Sequence, residues 1–139
     1  MANEVDVKSI LIKDGINNME LNDINKTIIN SRDVLSNLIE KNEGKSFCKT
    51  LINSESNSCT MITQYPGEGN RRHYHPDWNE WWFILDGEWE FEISGEKKHI
   101  KKDDIVFIPK NVWHKITAIG DKPATRLAVS RYDVVHTYE

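Results

Sequence analysis

The sequence predicts an all-β domain, a sandwich or barrel of short strands that follows a short helical extension. From Phe47 onward, β-prone runs of four to seven residues alternate with turn signals at close spacing, which is typical of sandwiches and barrels. Helical spacing of apolar residues occurs in one place, between Leu21 and Glu43. We therefore divide the chain into an N-terminal extension, residues 1–45, and a barrel, residues 46–139, which together form one domain.

The extension combines an arm and a helical segment. The apolar pieces Val5-Asp6-Val7 and Ile10-Leu11-Ile12 predict an edge strand or an arm that packs on a partner. Within the helical segment, Asn22 or Asp23 would cap the first part, Ser31-Arg32-Asp33 would break or restart it, and Gly44 suits the position just after its end.

The barrel strands follow one another with short connections. We expect strands at residues 47–52, 59–65, 71–75, 81–85, 89–93, 98–101, 105–108, 115–119 and 125–131. Asp86-Gly87 lies between two β-prone runs, and both residues of such a turn tolerate positive φ, so it predicts a hairpin.

Composition excludes several classes of protein. The 139 residues carry a net charge of −4, which argues against binding nucleic acid or an anionic membrane. No apolar stretch approaches the ~18 residues of a membrane span, and the N-terminus lacks the features of a secretory signal. We therefore expect a cytoplasmic protein, with Cys48 and Cys59 reduced and structural rather than joined in a disulfide.

One segment, residues 66–87, concentrates the residues capable of chemistry. His73 and His75 are two positions apart, which places both imidazoles on the same face of a strand. Glu80 begins the next apolar run. Two imidazoles and a carboxylate on adjacent strands can hold a metal ion, and the alternative is a polar strand face without a metal.

Strand parity divides the run after Glu80 into two faces. If Glu80 points into a barrel, Trp82 and Ile84 line the interior beside it. The outer face then carries Trp81, Phe83 and Leu85, which need cover from the N-terminal helix or from a second subunit. This apolar outer face predicts a homodimer.

These residues resemble the cupin family of small double-stranded β-helix (jelly-roll) barrels. The first cupin motif is matched in full by Gly67, His73, His75, Glu80 and Gly87. The second motif is matched at Pro109 and His114, whereas Asp103, Asn111 and Ala118 depart from it. Asp and Asn tolerate left-handed backbone conformations better than other residues apart from Gly, so Asp103 and Asn111 can still form the turns.

The resemblance implies that His73, His75, Glu80 and His114 converge on one divalent metal inside the barrel. Three nitrogens and one oxygen suit Fe(II), Mn(II), Ni(II), Cu(II) or Zn(II). Our first interpretation is an Fe(II)-type dioxygenase, an oxidoreductase acting on a small organic substrate; no residue is assigned as a general base. The alternatives are a metal-dependent isomerase or lyase acting on a sugar or small acid, and a non-catalytic module that binds a small ligand.

The remaining candidate residues are interpreted from their positions relative to the two motifs and the predicted strands. Arg71 shares parity with His73 and would suit an anionic substrate if it points inward, or it lies on the surface. Trp82 and Ile84 line a pocket or fill the barrel, and Trp78 caps the mouth or packs at an interface. His99 and His136 fall outside both motifs and are expected at the surface.

Overall fold

The computed structural model describes residues 3–4, 11–12, 27–54, 56–131 and 134–139. Its elements in chain order are β1 (Asn3–Glu4), β2 (Leu11–Ile12), α1 (Ser31–Asn42), β3 (Phe47–Asn53), β4 (Ser58–Gln64), β5 (Glu68–Tyr74), β6 (Glu80–Asp86), β7 (Glu88–Ile93), β8 (Glu96–Lys101), β9 (Ile105–Ile108), β10 (His114–Ile119), β11 (Ala124–Ser130) and β12 (Thr137–Tyr138). All nine predicted barrel strands are confirmed as β3 to β11. The expectations for Val5-Asp6-Val7 and for capping by Asn22 or Asp23 lie outside the described residues.

The strands form two sheets of six. One sheet has the order β1-β5-β10-β7-β8, with β12 also pairing with β5, and the other has the order β2-β3-β4-β11-β6-β9. Barrel strands pair antiparallel, while β1 and β2 pair parallel with β5 and β3. From β5 to β12 the chain passes repeatedly between the two sheets, so residues of β5, β6 and β10 that are distant in sequence meet in the interior. The hairpin predicted at Asp86-Gly87 is wrong, because β6 and β7 lie in different sheets and do not pair with each other.

The helix α1 begins and ends as the sequence predicts. Asn30 is the N-cap, and its side chain accepts a hydrogen bond from the backbone N–H of Asp33 at 3.0 Å. Glu43 has φ of 48° and Gly44 has φ of 81°, so the left-handed residues that end the helix include the predicted glycine. The helix therefore begins at residues 31–33, where the sequence predicts a break or a restart.

Two apolar clusters hold the fold together. The first lies between the sheets and includes Trp82, Trp89, Phe91, Ile108 and Ile116. The second lies between the helix and the outer face of the sheet that contains β3, β4 and β6. Its buried members are Leu35, Leu38, Phe47, Leu51, Met61 and Leu85, with Phe83 packed against them. The helix thus covers the Leu85 end of the outer face of β6, while Trp81 stays 43% exposed.

Two of the three residues that depart from the second motif form the left-handed turns that the sequence predicts for them. Asp103 has φ of 76° and Asn111 has φ of 66°, both in the left-handed region where glycine is otherwise favoured. Gly87, by contrast, cannot be replaced in this way. Its φ is 76°, and a Cβ there would come within 2.5 Å of the Cα of Ala124.

Both cysteines are free thiols, as predicted. Burial raises the pKa of Cys48 to about 12, against a smaller lowering by the charge of Arg126, and burial raises the pKa of Cys59 to about 11. Within the described part of the chain, no helix combines the length and the apolar character needed to cross a membrane.

Candidate metal centre

The four residues of the two motifs come together at one end of the barrel. His73 lies on β5 and faces His114, the first residue of β10, in the strand register. Their ring centroids are 4.3 Å apart, and His75 lies 5.0 Å from each. Glu80, the first residue of β6, completes the group: its carboxylate and the ring nitrogens of His75 and His114 lie within 4.8 Å of one another. Such a group can hold a metal ion.

Backbone carbonyls orient two of the imidazoles. The Nδ1 of His73 lies 2.6 Å from the carbonyl oxygen of Arg71, and the Nδ1 of His114 lies 3.0 Å from that of Val112. A carbonyl only accepts hydrogen bonds, so each Nδ1 carries the proton and each Nε2 keeps its lone pair. Histidine ligands of metals are typically oriented in this way.

The Nε2 of His114 is the atom that best tests whether a metal fits. It is buried, and it has no hydrogen-bond partner among the described residues. A buried polar atom normally has a partner, because leaving it unsatisfied costs about 1–3 kcal/mol. A cation among the donor atoms of this group would satisfy the nitrogen.

Burial keeps the imidazoles neutral, as metal binding requires. It lowers the pKa of His73 to about 2; the neighbouring His114, His136 and His75 lower it further, and the hydrogen bond to Arg71 opposes them. Burial likewise lowers the pKa of His114 to about 4, against the hydrogen bond to Val112. Neither ring therefore has to lose a proton to bind a metal at neutral pH.

The carboxyl of Glu80 is held by a tryptophan. The indole Nε1 of Trp82 donates a hydrogen bond to Oε2 of Glu80 at 2.5 Å. Burial raises the pKa of Glu80 to about 7, while this hydrogen bond and the charge of Arg126 act in the opposite direction. A bound cation would favour the ionised carboxylate, because an opposite charge at close range lowers a carboxyl pKa.

Arg126 is a buried cation that the sequence analysis did not identify. Its guanidinium carbon lies 5.1 Å and 4.6 Å from the ring centroids of Trp82 and Trp89, and its NH1 donates to Oε1 of Gln64 at 2.9 Å. Burial lowers its pKa to about 10 although Glu80 raises it, so the group is charged at neutral pH. Its inward orientation follows from its pairing with Ile84 on β6. The sequence alone does not predict the register of this strand pair.

The expectation of a surface position was wrong for His136 and is confirmed for His99. The ring of His136 lies 5.0 Å from that of His73 and 4.7 Å from that of His75. The donor atoms of these three histidines lie within 4.8 Å of one another, so they form a second group that can hold a metal. His99 is exposed on β8 and pairs with Glu88 at 3.1 Å.

The other pocket candidates lie in different environments. Arg71 is exposed, with its guanidinium carbon 4.0 Å from the ring centroid of Tyr138. Trp82 and Ile84 are buried in the barrel core. Trp78 is exposed beside Arg131, whose guanidinium carbon lies 5.2 Å from its ring centroid.

Comparison with known proteins agrees with this arrangement. The family model described as Cupin domain matches residues 60–130, a segment that contains both motifs and just over half of the chain. The chain belongs to the cupin family. The two facing antiparallel sheets of this cupin are accordingly those of a double-stranded β-helix.

Individual relatives are similar over limited lengths. Polyketide synthase CurC of Streptomyces cyaneus is 32% identical over 73 residues, which are 52% of this chain and 47% of that protein. Oxalate decarboxylase OxdC of Bacillus subtilis (strain 168) is 24% identical over 103 residues, 68% of this chain and 27% of that protein. The chain thus spans less than half the length of either curated relative. The solved structure of DMSP lyase DddQ from Ruegeria pomeroyi DSS-3 has a TM-score of 0.59 at 25% identity, covering 69% of this chain and 52% of that one.

Proposed function

We propose that this cupin is a metal-dependent enzyme in which His73, His75, Glu80 and His114 hold one divalent transition metal. The observation that carries the proposal is the Nε2 of His114, a buried lone pair with no hydrogen-bond partner among the described residues, in a ring 4.3 Å from that of His73. Nearby donors of the right chemistry, two of them oriented by backbone carbonyls, make a cation the natural occupant.

For the metal we propose Fe(II), and for the reaction dioxygenation of a small organic substrate. Three imidazole nitrogens and one carboxylate oxygen suit iron, although manganese, nickel, copper and zinc accept similar donors. These four residues would fill four of about six coordination positions. Bound iron would supply the activation of dioxygen beside the substrate.

The protein's own residues would orient the ligands and keep water away. The carbonyl groups of Arg71 and Val112 fix the rings of His73 and His114. The indole of Trp82 fixes the carboxylate of Glu80 and also forms part of the buried core below it. Such outer partners raise metal affinity by holding each ligand in one orientation.

The charges favour an anionic substrate, which we propose to be a small carboxylic acid. A divalent cation, the carboxylate of Glu80 and the buried guanidinium of Arg126 together carry a net charge of about +2. The relative named oxalate decarboxylase supports the assignment to a carboxylic acid. Arg126 would act through its field, since it lies inside the barrel between Trp82 and Trp89.

A second candidate reaction uses the metal as a Lewis acid, in a lyase or an isomerase acting on a small acid or sugar. The relatives favour this possibility, because a decarboxylase and a lyase are both among them. A non-catalytic module that binds a small ligand is the third candidate.

Metal analysis combined with oxygen consumption distinguishes these candidates. The purified protein is reconstituted with Fe(II) or with Zn(II), and a panel of small carboxylic acids is tested in air and under argon. Oxygen consumption with the Fe(II) protein alone supports dioxygenation. Turnover under argon or with Zn(II) refutes dioxygenation and supports the Lewis-acid reaction. If the purified protein binds no divalent metal, the whole proposal is refuted. The variant His114→Ala, which lacks one of the four proposed ligands, is the control for each measurement.

We also propose that the cupin forms a homodimer through the outer face of β6 and β9. Trp81 lies opposite Phe107 in the register of these strands, and the two side chains are 43% and 57% exposed. Ile105, opposite Phe83, is 72% exposed. Among the described strands β9 pairs only with β6 and forms a sheet edge, so a second copy could cover both the edge and the apolar patch.

A further inference from the structure

The C-terminal strand lies directly beside the candidate metal centre. β12 pairs antiparallel with β5, on the edge opposite β10, with Thr137 facing Tyr74 and Tyr138 facing His73. One further step in the same register sets position 136 across from His75. Since residues two apart share a face, His136 and Tyr138 both point to the side of the sheet that carries the metal-site histidines.

Several contacts hold this segment on β5. The backbone N–H of Glu139 donates to the carbonyl oxygen of Arg72 at 3.2 Å, and the guanidinium of Arg72 pairs with the carboxylate of Glu139 at 2.9 Å. The guanidinium of Arg71 stacks on the ring of Tyr138. The position of His136 is therefore fixed by contacts on both sides of the strand pair.

The ring of His136 meets the histidines of the first motif. Its centroid is 4.7 Å from that of His75 and 5.0 Å from that of His73, and it stacks on the ring of Tyr138 at 6.0 Å with an interplanar angle of 13°. One nitrogen from each of the three histidines lies within 4.8 Å of the other two, as ligand atoms around one cation do.

We propose that His136 is a fifth protein ligand of the metal centre, contributed by the C-terminal segment, residues 134–139. The inference rests on the metal site assigned to the two cupin motifs. The two groups of donor atoms share His75, and the rings of His73 and His114 are 4.3 Å apart, so a single cation placed between the groups would lie near donors of both. Five protein ligands leave one of about six positions open. A reaction that needs two positions then requires His136 to leave the metal.

A cysteine at position 136 provides a direct test. Cobalt bound to a thiolate absorbs in the near ultraviolet through charge transfer, whereas histidine and carboxylate ligands give no such band. We expect His136→Cys loaded with Co(II) to show the band. Wild-type protein loaded with Co(II) gives the background absorbance due to Cys48 and Cys59. The matched control is His99→Cys, which places a thiol on the exposed face of β8.

Affinity provides a second test. We expect His136→Gln to bind Co(II) about tenfold more weakly than wild type in competition with a chelator, while His99→Gln binds as wild type does. Circular dichroism and thermal unfolding of the metal-free variants establish that they fold. Pulsed electron paramagnetic resonance of the Cu(II)-loaded wild type counts the bound imidazoles without any substitution, and four are expected.

The outcomes separate this inference from the proposed function. If wild type binds neither Co(II) nor Cu(II), the metal centre itself is refuted. The fifth ligand is refuted, while the metal centre stands, if three results are found together. These are that wild type binds metal with three imidazoles, that His136→Cys shows no charge-transfer band, and that His136→Gln keeps wild-type affinity. Should either variant fail to fold, the count of imidazoles in wild type decides.

Discussion

His73 and His114 lie directly opposite each other in the register of β5 and β10, with their ring centroids 4.3 Å apart. The two residues come from separate motifs and are 41 positions apart in the sequence. Their pairing brings the two motifs to one end of the barrel. Because β6 begins there as well, the carboxylate of Glu80 reaches the same group.

Replacing His75 tests the ligand set. His75 belongs to both groups of donor atoms, so His75→Ala removes a nitrogen that each group requires. We expect this variant to lose divalent metal completely after dialysis, whereas His99→Ala keeps the wild-type content, as measured by elemental analysis. Full occupancy in His75→Ala would show that the metal lies elsewhere.

Replacing Trp82 tests the support of Glu80. Trp82→Phe keeps an aromatic ring in the core but removes the N–H that donates to the carboxylate. We expect metal affinity to fall about 10-fold to 100-fold and the free energy of unfolding to fall by about 1–2 kcal/mol through lost volume. Competition titration with a chelator and denaturant unfolding measure the two effects.

Trp89→Phe is the matched control for this prediction. Trp89 is fully buried in the same core, and its indole N–H has no hydrogen-bond partner among the described residues. Its replacement removes a similar volume without touching Glu80. Equal losses of metal affinity in the two variants would contradict a specific role for the indole of Trp82.

The sequence predicts the local features of the site well. His73 and His75 share a face because of strand parity, and Asp103 and Asn111 form left-handed turns because their short polar side chains tolerate positive φ. Each of these predictions depends on a few neighbouring residues. The strand assignments succeed for the same reason, since alternation and turn residues are local signals.

Arg126 and His136 were missed because their positions depend on strand pairing across the whole chain. Arg126 points inward because β11 pairs with β6 in one particular register. His136 lies beside His73 and His75 because β12 adds to the edge of β5, more than 60 residues earlier in the chain. Neither residue lies in a motif, and a one-residue shift in register would place each on the opposite face.

The stability of the metal-free protein should fall as the pH drops from 7 to 5. The pKa values of His73 and His114 are lowered in the folded state, to about 2 and about 4, from the ordinary value of 6.5. At a pH between the lowered value and 6.5, each of these residues therefore binds more protons in the unfolded chain than in the folded protein. Their contribution to stability is present above pH 6.5 and is lost as the pH falls. Denaturant unfolding in the presence of a chelator, at pH 7, 6 and 5, measures this loss.

Glu80 has the opposite effect on this pH dependence. Its pKa is raised to about 7 in the folded state, so between 4.5 and 7 the folded protein binds the additional proton. Its contribution is present below pH 4.5 and is lost as the pH rises. We therefore expect Glu80→Gln to show a steeper loss of stability from pH 7 to 5 than wild type. An equal or shallower loss would show that the carboxyl is ionised in the metal-free protein.

The proposed dimer makes a prediction about the outer face of β6 and β9. Light scattering should give twice the chain mass of 16.2 kDa for the wild type. Trp81→Glu and Phe107→Lys each place a charge within the exposed apolar pair that faces across the two strands. A charge desolvated without a partner opposes association, so both variants should be monomeric at concentrations where wild type is dimeric. Lys98→Glu, on the exposed side of β8, should leave the dimer intact. If wild type has the mass of a single chain at every concentration, Trp81 and Phe107 do not form a self-association surface.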